Sequence, residues 1–193
     1  MPANLRKGCP LRPNASIEHD YVNALLPLVR RMCDEARKVI ERGYPEMTQD
    51  ANDAVSLRVA LNGLLDKYAP LFGKVARKAT NRMISRTLKY SQVALGQSLK
   101  DIGSELLLDT GYLTTPRMQE VITAATTEAT GLIKLIPQKY IAEVQGQVMR
   151  SISTGQGLKD LVPYLKDKYE GNVRHARLVA MDQTRKSYSN VNA

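Results

Sequence analysis

The stretch Leu71–Lys100, LFGKVARKATNRMISRTLKYSQVALGQSLK, decides how the rest of this chain is read. Stepped at 100° per residue, Phe72, Ala76, Ala79, Met83, Thr87 and Ala94 fall on one helical face. The stretch carries seven bases, Lys74, Arg77, Lys78, Arg82, Arg86, Lys89 and Lys100, and no acid. The first six occupy the side opposite Ala76, Ala79 and Met83, so a regular helix presents a continuous positive stripe. Small side chains on the opposite face let helices approach closely, which suits a bundle or an oligomeric stalk. Pro70 is placed to start this helix, which is expected to run to Leu107.

Outward from that rod the pattern stays helical. Upstream, an extended arm containing Pro2, Pro10 and Pro13 reaches about Ala15, and Ser16 is placed to cap a helix. That helix lines up Ile17, Tyr21, Ala24, Leu25, Leu28, Met32, Ala36, Val39 and Ile40, with Pro27 expected to kink or split it. Gly43–Asp50 reads as a connector, and a second helix spans Ala51–Tyr68. Downstream, Asp109–Thr115 breaks the chain, and Thr115-Pro116 pairs a cap with a first-turn proline. Met118 to Ile136 keep helical spacing up to Pro137, which ends or restarts the helix. Tyr140 to Ile152 carry the next one to the loop Ser153–Gly157. Leu158 to Tyr169 form a short helix containing Pro163, and Gly171-Asn172 punctuates before a last helix to Tyr188. No strand alternation exceeds four residues. The reading is all-α: an elongated multi-helix bundle with one long central helix. It divides into an arm over 1–15, a helical region over 16–110 and a C-terminal helical region over 111–193.

Composition bounds the function. The 193 residues hold 28 Lys+Arg against 19 Asp+Glu, a formal charge of +9, so the expected partner is acidic. No apolar run approaches the ~18 residues a membrane helix needs, and Met1–Pro10 lacks the apolar centre of a secretory signal. Cys9 and Cys33 make neither a disulfide framework nor a metal set, so a reducing interior is the expected compartment. The basic stripe meets phosphates through counterion release without sequence preference, and an acidic protein surface would serve as well. Only Phe72 and Tyr90 interleave with it, so base stacking is not implied.

Catalytic chemistry finds little footing. His19 and His175 are the only histidines, and fourteen residues separate His19 from Cys33 on one predicted helix, about 20 Å. No CxxC, HExxH or acidic calcium loop is present, no cofactor is called for, and Thr154-Gly155-Gln156-Gly157 reads as a helix-to-helix turn. In the last helix Asp182 precedes Lys186 by one turn, the favourable direction for a surface ion pair. Asp182 and Gln183 could instead join a buried polar network between helices.

That last segment also carries a resemblance. LIKLIPQKY at Leu132–Tyr140, then Val144, Val148, Ile152, Gly155-Gln156-Gly157-Leu158, Leu161, Leu165, Tyr169 and RHARLVAMDQTRK at Arg174–Lys186 resemble the phage Mu F-like head morphogenesis family, minor head proteins of tailed bacteriophages. Arg12-Pro13-Asn14-Ala15-Ser16-Ile17-Glu18, followed by Tyr21, resembles openings common in that family. Two departures are visible: Met181 stands where a basic residue is frequent, and the family's usual continuation, with tryptophan, aspartate, histidine and a Cys-x-Cys-like end, has no counterpart before Ala193. Any activity of that continuation is not carried over. The resemblance implies a virion component at the portal vertex or capsid interior, assembled in the bacterial host cytoplasm in several copies. Its partners would be the portal protein and other head proteins, and it would not be an enzyme. Lys74, Arg77, Lys78, Arg82, Arg86 and Lys89 are the expected contacts to DNA during packaging or ejection, and Arg177, Asp182 and Gln183 a packing network. A basic helical DNA-binding regulator, and the helical part of a toxin or modifying enzyme lacking its catalytic region, are the competing readings.

Overall fold

The computed structural model describes residues 12–44, 51–101 and 115–192, whose elements are four α-helices. These are α1 (Ala15–Gly43), α2 (Ala51–Asp101), α3 (Pro116–Ser153) and α4 (Leu158–Asn192). No strand occurs among the described residues. Most of the expected arm, residues 45–50 of the first connector, the expected run of the long helix beyond 101 to Leu107 and the expected break after it, up to Thr115, lie outside them. At 1.5 Å per residue the 51 residues of α2 span about 75 Å, the long axis of the molecule.

Capping chemistry sets two of the starts. Asn14, extended at φ −91°, accepts from the Ser16 amide at 2.9 Å, so Asn14 is the cap of α1, two residues before the expected Ser16, which lies within the first turn. Thr115 caps α3 as expected, accepting from the Met118 amide at 3.3 Å with Pro116 at the first position. The turn from α3 into α4 uses Gly155 at φ 68°, a left-handed conformation that a side chain would strain.

The expected breaks at Pro27, Pro70, Pro137 and Gly171-Asn172 are absent: each helix runs straight through, and each of the four carries one internal proline, the last being Pro163. A proline inside a helix costs about 3 kcal/mol locally, because a hydrogen bond is lost and the ring crowds the preceding turn. Burial on both sides outweighs that cost. Tyr68 and Phe72 flank Pro70, Ile133 and Tyr140 flank Pro137, and all four are buried in one apolar core. Pro27, Pro70 and Pro163 face solvent, where water can take the carbonyl each proline frees. Gly171 is milder, at about 1 kcal/mol, and Leu165 and Ala176 on either side hold the same seam.

Long-range contacts define the topology. Tyr21 meets Thr80 and Glu35 meets Lys67; Asn62 meets Gln145 and Gly73 meets Lys134; Glu143 meets Lys168 and Glu128 meets Lys186; Glu18 meets Arg185 and Cys33 meets Asn172. In every pair, numbers rise along one helix as they fall along the other. The result is an up-down-up-down four-helix bundle in which α1 and α3 face each other across one diagonal, α2 and α4 across the other. The same register puts Pro70 opposite Pro137. Along α2 one buried row runs Leu57, Leu61, Leu64, Tyr68, Phe72, Ala76, Ala79, Met83, Thr87 and Ser91, with Gly73, Thr80 and Ile84 buried beside it, so the face in contact is broad through the middle of the helix.

The core changes character along its length. Toward the α3–α4 turn it is filled by Met32, Ile40, Leu61, Phe72, Ile136, Ile141, Val144 and Leu161. Toward the other end Thr80, Thr87, Ser91, Thr130, Gln183, Thr184 and Ser187 are buried among apolar residues that include Ile17, Leu25, Met83, Ile84 and Ile133. Thr87 and Thr184 turn their hydroxyls back to the carbonyls of Met83 and Ala180, at 3.0 and 2.8 Å, and Tyr21 shares a hydrogen bond with Thr80 at 2.8 Å. At the turn end, Tyr44 donates its hydroxyl proton to the Gln156 carbonyl at 2.7 Å, so the Ser151 hydroxyl at 2.6 Å donates to Tyr44. This ties the last residue of the first helical segment to the α3–α4 turn.

Replacing Tyr44 with Phe leaves Ser151 and the Gln156 carbonyl short of a partner and is expected to lower stability by about 1–3 kcal/mol; an unchanged urea midpoint would show the strap is idle. Alkali should weaken the whole bundle. Burial pushes the Cys33 thiol up to about 11 and the Tyr21 hydroxyl up to about 12, the latter partly offset by Thr80. Both keep their protons longer when folded than when unfolded, so their stabilisation is complete below about pH 9 and is lost as pH rises toward about 12. A melting temperature level across that window would contradict this.

Candidate nucleic-acid interface

Five of the six predicted contact bases stand free. Lys74, Arg77, Lys78, Arg82 and Lys89 are exposed on α2, and none is ion-paired with another described residue. They spread from Arg77, on the side toward α3, round to Arg82, which borders a small dent with Asp20 and Tyr21 of α1. Arg86 corrects the expected stripe. It is half-buried, its guanidinium clamps the Asp20 carboxylate of α1, and it reaches Ser16 Oγ at 3.3 Å. The reason is geometric: three residues beyond Met83 is 300° of rotation, which leaves Arg86 beside the buried face rather than opposite it. Asp20 therefore neutralises the one base of the six that the α1–α2 seam captures.

A base outside the predicted set joins the band. A Cβ placed on Gly73 would meet Lys134 Cε at 3.4 Å, so the Lys134 stem lies across the bare backbone of α2 at Gly73. Lys134 is exposed on α3. Residues 129–142 contain Lys134 and Lys139 and no acid, a signal present in the sequence that only the helix register connects to the run on α2. The next acid on α2 toward its start is Asp66, two turns before Lys74.

The expected C-terminal network forms only in part. Gln183 is buried and donates to Asp182 at 3.3 Å, while Asp182 itself is exposed. Arg177 is exposed and makes no hydrogen bond or ion pair to another described residue. Lys186 turns away from Asp182 to pair with Glu128 of α3 at 2.8 Å. Lys186 holds the Glu128 carboxyl below its ordinary range, and Gln183 adds to the effect. The cross-helix tie thus runs α4 to α3 through Lys186 and Gln183, a pairing across 58 residues that one-turn spacing cannot reveal.

Two clefts of about 340 Å³ each lie on either side of Tyr140. One is lined by Cys33, Arg37, Val162, Leu165, Lys166 and Tyr169, the other by Lys139, Lys168, Asn172 and His175. Asn172 donates to Cys33 Sγ at 3.3 Å, and the raised thiol pKa keeps Cys33 protonated at neutral pH. His19 takes the Asn23 amide at 3.1 Å. Among the described residues no three His, Cys, Asp or Glu side chains gather as metal ligands, and no helix is long and apolar enough to cross a membrane.

Comparison with known proteins adds one relative. No family model matches the chain, and no solved structure matches it. A protein of Haemophilus influenzae, described only as uncharacterized, is 27% identical over 190 residues, 95% of this chain. The chain spans 42% of that relative's length.

Gln183→Ala, which opens a buried site and strips a partner from Asp182, is expected to lower stability by about 1–3 kcal/mol. Asp182→Ala and Arg177→Ala, both at exposed positions, should stay within about 0.5 kcal/mol. Equal losses for all three would restore the three-residue network.

Proposed function

We propose that this chain is a minor head or head-morphogenesis protein of a tailed bacteriophage, a virion component at the portal vertex or capsid interior that contacts packaged DNA without sequence preference. The resemblance of Leu132–Lys186 and Arg12–Tyr21 to the Mu F-like family carries the reading. The free basic band on α2 supports it, since a rod with an acid-free edge suits a partner whose charge is continuous. Its work in this reading is assembly with the portal and other head proteins, in several copies, and no catalysis.

The regulator alternative asks for a short recognition helix offering base-reading side chains to a groove, usually in a dimer. The band here lies instead in the middle of a 51-residue helix packed in a bundle. Mass spectrometry of purified particles from the host lysate should recover this chain in a fixed ratio to the portal protein. Its absence from particles, with the protein in the soluble host fraction, would overturn the proposal.

A further inference from the structure

We infer that the polyanion surface is built by two helices, with Lys134 of α3 forming one edge of a band completed by Lys74, Arg77 and Lys78 of α2, and that its occupant is duplex DNA. This rests on the DNA-contact part of the proposed function and specifies the surface and the form of nucleic acid.

The geometry starts at Gly73. Because this residue has no side chain, Lys134 crosses from α3 directly over α2, within van der Waals reach of a Cβ position at 3.4 Å. Arg77 follows Gly73 by four residues, so it lies on the same flank of α2, toward α3. Lys74 and Lys78 continue round the exposed side, and all four bases are solvent-facing. No acid occurs in 71–100 of α2 or in 129–142 of α3, so nothing within these two runs neutralises the band. Arg86 is excluded from it because Asp20 already holds its guanidinium.

The occupant follows from what the band lacks. A protein partner is anchored by exposed aromatic or large apolar side chains that fill pockets. The exposed positions between the bases of α2 are Asn81 and Ser85, and the exposed large apolar side chains beside the band are single ones, Leu71 on α2 at 38% and Leu135 next to Lys134 on α3 at 41%, one on each helix. Single strands are held by stacking bases on aromatic rings. Phe72 is fully buried, and Tyr90 is half-buried with its ring 6.3 Å from that of Tyr188. A rigid row of charges without aromatic platforms fits a stiff, regularly charged duplex backbone.

Binding of the full chain to a short duplex of arbitrary sequence, followed by fluorescence anisotropy across a salt series, tests this. Wild type should bind at low salt. Lys134→Gln and Lys74→Gln should each lower the slope of log affinity against log salt by about one. Arg86→Gln should leave the slope unchanged, and the matching single strand and polyglutamate should bind more weakly than the duplex. A slope unchanged by Lys134→Gln but lowered by Lys74→Gln would overturn the two-helix surface while leaving DNA contact through α2 intact. Tighter binding of the single strand or of polyglutamate would overturn the choice of duplex. No duplex binding at low salt would overturn both this inference and the DNA-contact part of the proposed function.

Discussion

Every helix in this bundle has to keep one face against its neighbours through a residue that cannot support the helix it sits in. Pro27, Pro70, Pro137 and Pro163 each remove a backbone hydrogen bond, a local loss of about 3 kcal/mol. Tyr68, Phe72, Ile133, Ile136 and Tyr140 bury large side chains within a turn or so of the two central prolines. Fully burying one such side chain is worth about 1.5–3 kcal/mol, so two per proline exceed the loss. The continuous apolar seam therefore comes before the regularity of any one helix, and the four-helix arrangement depends on it.

That balance explains what could be read from the chain alone. The helical class, most of the buried face of α1, the Thr115 cap and the Gly155 turn are local properties, written in spacing and residue type over a few positions, although Ala24, expected on the α1 face, is exposed and Leu26, Val29 and Cys33 are buried instead. Whether Pro70 ends a helix is not local, because the answer depends on α3 packing against both sides of it. The same division holds at the candidate interface. The acid-free run on α2 is visible in one dimension, whereas Asp20 capturing Arg86 across 66 residues and Lys134 crossing Gly73 need the register of three helices.

The two halves of the core do different work. The interior toward the α3–α4 turn, closed by Tyr44, Ser151 and the Gln156 carbonyl, is almost wholly apolar. The other half mixes Ile17, Leu25, Met83, Ile84 and Ile133 with buried threonine, serine and Gln183, whose hydroxyls and amide are directional and whose burial contributes less. The basic band reaches from the middle of the molecule into this mixed half, so part of the surface offered to a polyanion stands over buried polar groups whose partners are fixed in direction.

Pro70 and Pro137 stand at one height on adjacent helices, which gives the rod a weak plane. A helix resists bending through its longitudinal hydrogen bonds, and two neighbours here each lack one at the same level. Any flexure at that level is shared by both helices instead of shearing one past the other, so side chains on their common surface, Lys134 and Lys74 among them, keep their spacing.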